Sequence, residues 1–325
     1  MTEDKLDVKF LKGVGEKRAK AFNEIGISKL EDFLEFVPRT YIEKIQIKDA
    51  KDYFDKTVLM YGIVTDLDKP SSLNRPTVLT LYDGTGYIEI PVFGSSEFRS
   101  KQFRLNERYL FLGKVGNQWF GKILKLDYRD HIKINTAEPL ENEFLKRNFF
   151  PVYELQGVLK KTFIRPLLLS KIVYFAFRKI FDNEEIKFSE TISKEIIESE
   201  KLLPRKTAII YINFPDTLER TEESRRRLAF DELFYLQLLM ALRKRNNKKE
   251  QKGIKFEADI KKLTDDFKEC LSFELTNAQR RVINEIYIDM KSDTVMNRLL
   301  QGDVGSGKTI VSLFMMLIAI ENGYQ

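Results

Sequence analysis

The chain has 325 residues, more than one hydrophobic core usually organises, so two or three folded units plus the beginning of another are expected. Hydrophobic residues at 43% and charged residues at 32% exclude disorder over most of the length, and a net charge of +6 on 55 basic and 49 acidic residues leans mildly toward a polyanionic partner. A single cysteine, Cys270, and a single histidine, His131, exclude a thiolate cluster or a multi-histidine metal site within one chain. The charged start Met1-Thr2-Glu3-Asp4-Lys5 leads into no signal-peptide core, and the run from Ile310 to Ile320 is too short to span a bilayer. A cytoplasmic protein without a membrane partner is the expectation.

At the front, Leu11-Lys12-Gly13-Val14-Gly15 precedes helical character from Lys17 to Ile25, and Gly26-Ile27 leads into a second helix from about Ser28 to Val37, closed by Pro38. Residues 1–52 therefore read as a helical N-terminal hairpin resembling a helix-hairpin-helix element. Its Gly13 and Gly15 can turn backbone N–H groups toward a phosphate of DNA, with Lys17 and Arg18 alongside. Glycines that only end helices and permit tight turns leave the same pattern.

Residues 53–130 change to short strands divided by turn residues: Thr57–Asp66, Thr77–Tyr82, Tyr87–Phe93, Arg108–Val115 and Gln118–Leu126, with a longer connection between Gly94 and Asn106. That layout predicts an OB-fold β-barrel. By the two-residue period, Ile88, Ile90 and Val92 share the core face of the third strand, while Tyr87, Glu89, Pro91 and Phe93 share the other. Tyr87 and Phe93 are then placed to stack on unpaired bases, and Phe98 joins Phe93 across the turn Gly94-Ser95-Ser96-Glu97 as an aromatic wedge. Packing of one or both rings beneath that connection is the alternative.

Residues 131–255 read as a helical linker region, with apolar periodicity over Thr162–Phe181 and Thr221–Arg245. The second segment is a long bridging helix with Leu228, Phe230, Leu233, Leu236 and Met240 as apolar surface. Its basic continuation to Lys252 suits a solvated linker or a DNA contact.

Residues 256–325 carry the chemistry. A short apolar strand, Asn297-Arg298-Leu299-Leu300-Gln301, leads into Gly302-Asp303-Val304-Gly305-Ser306-Gly307-Lys308-Thr309, followed by an apolar helix from Ile310 to Glu321 and Gly323. This strand, loop and helix order is that of a phosphate-binding loop, whose glycines let backbone N–H groups face the phosphates of ATP. Lys308 is assigned to the β- and γ-phosphates and Thr309 to Mg²⁺ through the nucleotide. Upstream, Phe273 precedes Thr276, a cap for the helix from Arg280 to about Met290, and Gln279 offers the donor and acceptor pair that matches the N6 and N7 edge of adenine.

These residues resemble the RecG helicases of superfamily 2. The resemblance runs the length of the chain, through Leu11-Lys12-Gly13-Val14-Gly15, Val37-Pro38-Arg39-Thr40-Tyr41, Phe150-Pro151-Val152-Tyr153 and Arg226-Arg227-Leu228-Ala229-Phe230-Asp231-Glu232-Leu233. It is most specific in Met296 through Thr309. It implies a multidomain α+β chain: helical hairpin, OB-fold wedge domain, helical linker and the truncated start of a RecA-like α/β P-loop lobe. It implies ATP-dependent remodelling of stalled replication forks and Holliday junctions in repair and recombination, by a monomer at the nucleoid with a single-stranded DNA-binding protein as a partner. Phe93 matches the first stacking aromatic of that family; Glu97 stands where the second is usual, with Phe98 one residue beyond. Asn213 stands where the family usually carries His.

Further helicase motifs are absent from the sequence, so these 325 residues alone are expected neither to hydrolyse ATP nor to unwind DNA. Two other classes remain: a non-catalytic OB-fold module for branched or single-stranded nucleic acid, and an RNA-binding or tRNA-related OB protein. The phosphate loop and Gln279 argue against the second.

Overall fold

The computed structural model describes residues 7–68, 76–93, 102–117, 124–183, 186, 188–250, 253–257, 262–293 and 295–324. Contacts divide the chain into two units, Met1–Asp231 and Glu232–Gln325. The first is not a hairpin followed by a barrel. Strand β1 (Thr40–Glu43) pairs antiparallel with β7 (Phe149–Val152), Thr40 opposite Val152 and Glu43 opposite Phe149, so the barrel is an excursion between two strands of one ladder. The expected boundaries at 52/53 and 130/131 are therefore not breaks in packing, and the contact division falls at 231/232 rather than 255/256.

Helix α1 spans Glu16–Glu24. The Gly13-Val14-Gly15 turn precedes it, and Gly26, at φ +85°, is the glycine that follows. The expected second helix is a 3-10 turn, Leu30–Glu35, because the Asp32 carboxylate accepts from the N–H groups of Ser28 (2.7 Å) and Lys29 (2.8 Å) and fixes a tight entry.

The barrel strands are β2 (Thr57–Asp68), β3 (Thr77–Tyr82), β4 (Tyr87–Val92), β5 (Arg108–Asn117) and β6 (Leu124–Lys133), closed in the order β2-β3-β4-β6-β5. Only the β4–β6 pairing is parallel, through Glu89 and Lys125. Five strands closed in this way match the expected OB-type barrel. The last described strand runs on to Lys133, beyond the expected end at Leu126, while Gln118 lies outside the described residues. Its second half looks polar in sequence because Asp130 and His131 are buried with specific partners instead of alternating with solvent.

Helices α2 (Pro139–Leu145), α3 (Gly157–Lys161) and α4 (Pro166–Phe181) follow, then α5 (Lys194–Ser199) and α6 (Arg205–Asn213). Ten of the sixteen residues of α4 are buried, so it needs cover on nearly every side. Leu169, Ile172, Val173, Ala176 and Phe177 pack with Val8, Leu11, Phe22 and Phe33 of the N-terminal segment. Leu167, Tyr174 and Phe175 pack with the outward-facing barrel residues Leu59, Leu110 and Leu112. The barrel interior is a separate core built on Val58, Met60, Leu79, Ile88, Ile90 and Phe111.

Helix α7, Leu218–Glu250, continues past the boundary of the first unit. In the first unit it is held by Arg227, which is fully buried and bonds to Glu190, to Asp231 at 3.2 Å and to the Leu203 carbonyl. The second unit includes α8 (Lys262–Cys270), α9 (Asn277–Met290) and α10 (Lys308–Glu321), with Ile286, Met290, Val311 and Ile318 as its core. Residues 297–301 form no strand, and Leu299 is largely exposed. A strand is defined by its ladder, and no neighbouring strand lies among the described residues of this unit, so the expected α/β layering is not seen. No described helix is long and apolar enough to cross a membrane.

His131 sits against Phe103 (centroids 4.4 Å apart) with Nδ1 2.8 Å from the Tyr128 hydroxyl. Burial, helped by the nearby Arg165 guanidinium, lowers its pKa to about 4. Between that value and its unfolded value near 6.5, the unfolded state binds the extra proton. Acidification through this window should therefore remove up to roughly 3 kcal/mol from the first unit. Urea titrations of wild type and His131→Phe from pH 7 to pH 4 check this: the variant should lack the His131 part of the slope, and identical slopes would contradict it.

Candidate functional site

The residues nominated by sequence fall in both units. On β4, Ile88, Ile90 and Val92 point into the barrel and are buried, as the alternation requires. Phe93, just past the strand, is 63% exposed, and Tyr87 at its start is 65% exposed. Both rings stay on the surface. They lie at opposite ends of the strand, about 20 Å apart at the usual rise per residue, so they do not form one platform. Tyr87 already has one face covered by Tyr82, its cross-strand partner, with centroids 4.6 Å apart and an interplanar angle of 26°. Phe93 has no ring partner among the described residues and is the freer stacking surface. Phe98 and Gly94-Ser95-Ser96-Glu97 lie outside the described residues.

The turn between β3 and β4 is set by the Asp83 carboxylate. It accepts from the N–H of Thr85 (2.8 Å) and of Ile47 (2.7 Å), which ties the hairpin to the segment before the barrel.

At the N-terminal corner, Gly13 takes φ +90°, and its carbonyl accepts from Arg18 Nη1 at 2.6 Å. Arg18 Nε also donates to the Thr162 carbonyl at 3.4 Å. The guanidinium thus fastens the turn to the chain after α3 and is not free to serve chiefly as a phosphate ligand. Gly15 is the N-cap of α1 without a side-chain cap, and Lys17 is exposed.

In the second unit, Gly305 (φ +84°) and Gly307 (φ +81°) adopt the left-handed conformation and so shape the Gly-rich loop nominated for phosphate. Gly307 is the N-cap of α10, and a Cβ there would collide with the Gln279 side-chain nitrogen. Lys308 Nζ donates to the carbonyls of Gly302 and Asp303, each at 2.8 Å, so its ammonium is held inside the curl of the loop. Thr309 is exposed on the first turn of α10; Gly302, Asp303, Val304, Gly305 and Ser306 are exposed around it.

Gln279 does reach this loop, but in a supporting role. Its Oε1 accepts from the Thr276 N–H (2.8 Å), completing a capping box, while Nε2 donates to the Ser306 carbonyl (3.0 Å). Sequence spacing indicated proximity; the bridge from helix cap to loop was not foreseen. Phe273 is half exposed on a cleft of about 710 Å³ that it lines with Leu275, Arg280, Tyr287 and Phe314. None of residues 302–309 lines that cleft, so Phe273 and the phosphate loop are not brought to one cavity.

Residues 7–175 match the RecG wedge domain family. ATP-dependent DNA helicase RecG of Thermotoga maritima is 34% identical over 98% of this chain and 39% of its own length. The Streptococcus pneumoniae helicase of the same name is 30% identical over 97% of this chain and 44% of its own. A solved structure of RecG bound to a three-way DNA junction aligns with TM-score 0.65 and 31% identity, covering 98% of this chain and 42% of that one. The chain spans about two fifths of the length of these relatives.

Losing the Gln279 bridge should cost the second unit about 1 kcal/mol, since two exposed hydrogen bonds disappear, one of them half of the capping box. Hydrogen exchange on Gln279→Ala should show faster exchange in the first turn of α9 and around Ser306, with the barrel unchanged. Unaltered exchange at both places would refute the bridge.

Proposed function

Because the chain belongs to the RecG family of ATP-dependent DNA helicases, we propose that its first unit is the DNA wedge of such an enzyme, engaging branched DNA at a replication fork or Holliday junction. The observation that carries this reading is the exposed Phe93 ring, without a ring partner among the described residues, at the end of a strand of a closed barrel, in a chain similar to a protein solved on a three-way junction. A ring fixed at a strand end stacks on an unpaired base with little loss of conformational freedom, worth roughly 1–3 kcal/mol per base. The β3–β4 hairpin is braced by Asp83 and the interior by Ile88, Ile90 and Val92, so the ring stands on a rigid support.

The second unit supplies the nucleotide site. Its residues fit the triphosphate of ATP with Mg²⁺: two left-handed glycines curl the backbone, the Lys308 ammonium lies within the curl, and the Thr309 hydroxyl is open to a metal carried by the nucleotide. Lys308, which now donates to the Gly302 and Asp303 carbonyls, would be the residue to hold the phosphates of bound ATP. Gln279 holds the loop through the Ser306 carbonyl, and its second amide hydrogen and the second lone pair of Oε1 are left for adenine. In the whole enzyme, hydrolysis would power DNA remodelling in repair and recombination, by a monomer in the cytoplasm near the nucleoid, with a single-stranded DNA-binding protein as a partner.

Two outcomes follow from separating the sites. Phe93→Ala should weaken binding to a fork oligonucleotide by about tenfold and to linear duplex by less than twofold, measured by anisotropy; equal losses on both would reject the stacking role. Lys308→Ala should lower affinity for a fluorescent Mg²⁺–ATP analogue at least tenfold while leaving fork binding intact, and unchanged nucleotide affinity would reject the assigned site.

A further inference from the structure

Phe163 occupies a backbone conformation that a large side chain rarely adopts, at φ +58°, and its ring is 78% exposed. The conformation has a clear origin. Helix α3 ends in a Schellman closure: the Phe163 N–H donates to the Lys160 carbonyl (3.0 Å), and the Ile164 N–H to the Leu159 carbonyl (3.3 Å). The apolar pair that completes this motif, Leu159 and Ile164, is buried. The closure needs a left-handed residue at position 163, where glycine would carry no steric penalty. It does not need a ring, and burial does not recover the strain. Strain kept at an exposed position points to a use outside the fold.

The surroundings define the chemistry of that use. Lys160 and Lys161 form the last turn of α3 and are exposed. Arg18 joins this corner to the N-terminal turn through the carbonyls of Thr162 and Gly13, which brings in exposed Lys17, the neighbour of Arg18 on α1. Glu16 is the acidic residue beside it. Among the described residues, Lys17, Lys160 and Lys161 make no ion pair. An exposed aromatic residue that closely follows two exposed lysines in the chain, with a third exposed lysine beside Arg18 in sequence, suits a stacked base and its flanking phosphates.

We propose that Phe163, flanked by Lys17, Lys160 and Lys161, is a second nucleic-acid contact of the first unit, separate from Phe93, which stacks on an unpaired base of single-stranded DNA. It rests on the reading of this unit as a DNA wedge and adds a place where an unpaired arm is held. Arg165, two residues on, bonds to Asp130 and to the His131 carbonyl of β6, so the corner is anchored directly to the barrel.

Phe163→Gly tests the proposal in the 325-residue chain, because it removes the ring while keeping the left-handed backbone. It should raise Tm by about 2 °C and weaken binding to a fork with one unpaired arm about tenfold, with little change on blunt duplex. Replacing Lys160 and Lys161 together by Gln should reduce the slope of log affinity against log salt by about two. A fall in Tm would mean that the ring is packing after all and would overturn the proposal. So would fork binding within twofold of wild type in Phe163→Gly while Phe93→Ala weakens it, which leaves the wedge reading standing and assigns the corner to a protein partner or to nothing. If neither variant weakens fork binding, the wedge reading fails and this inference fails with it.

Discussion

Helix α4 is apolar on nearly every side, and a helix of that kind has to be enclosed before it is stable in water. Neither the N-terminal segment nor the barrel can cover it alone. One face takes Val8, Leu11, Phe22 and Phe33, and the other takes Leu59, Leu110 and Leu112 from outside the barrel, so the two are joined through the helix between them. Its N-terminus is secured from the barrel as well. Asp130 on β6 accepts from the Leu167 N–H at 3.0 Å and pairs with Arg165 at 3.1 Å, a carboxylate from one layer placed at the positive end of a helix in the other. Burial raises the Asp130 pKa against the opposing pull of the Arg165 guanidinium.

The exposed rings follow from that enclosure. The barrel can project Phe93 rigidly because its interior and its outer face are both packed, and Phe163 turns outward because the chain must leave α3 and enter α4 within a few residues. The β1–β7 ladder closes the excursion on which the barrel is carried, and Arg18 ties the N-terminal turn to the same corner. The phosphate loop is stabilised differently. Its geometry comes from two left-handed glycines and a side-chain bridge, and its unit has a smaller core of Ile286, Met290, Val311 and Ile318.

Much of this was legible where a single physical rule dominates. The alternation of Ile88, Ile90 and Val92 gave the inward face of β4, Thr276 gave the cap of α9, and the glycine spacing gave the left-handed turns at Gly305 and Gly307. Errors arose where partners distant in sequence decide the outcome. The last barrel strand was misplaced because Asp130 and His131 look like solvent-facing residues until Arg165, Leu167 and Phe103 are placed around them. The hydrogen bond from Arg18 to the Thr162 carbonyl could not be read from sequence, because that carbonyl lies far along the chain. Asn297–Gln301 has a strand's composition without a described strand beside it. Phe163 carries no sequence signal at all, since its peculiarity is a backbone angle.

The central claim, that a ring held at the barrel edge meets an unpaired base at a DNA branch point, is tested most directly by fluorescence from 2-aminopurine placed at the centre of a three-way junction. The account predicts marked quenching when the wild-type chain binds, loss of that quenching in Phe93→Ala at saturating protein, and retention of it in Tyr87→Ala. Equal quenching by wild type and Phe93→Ala would contradict it.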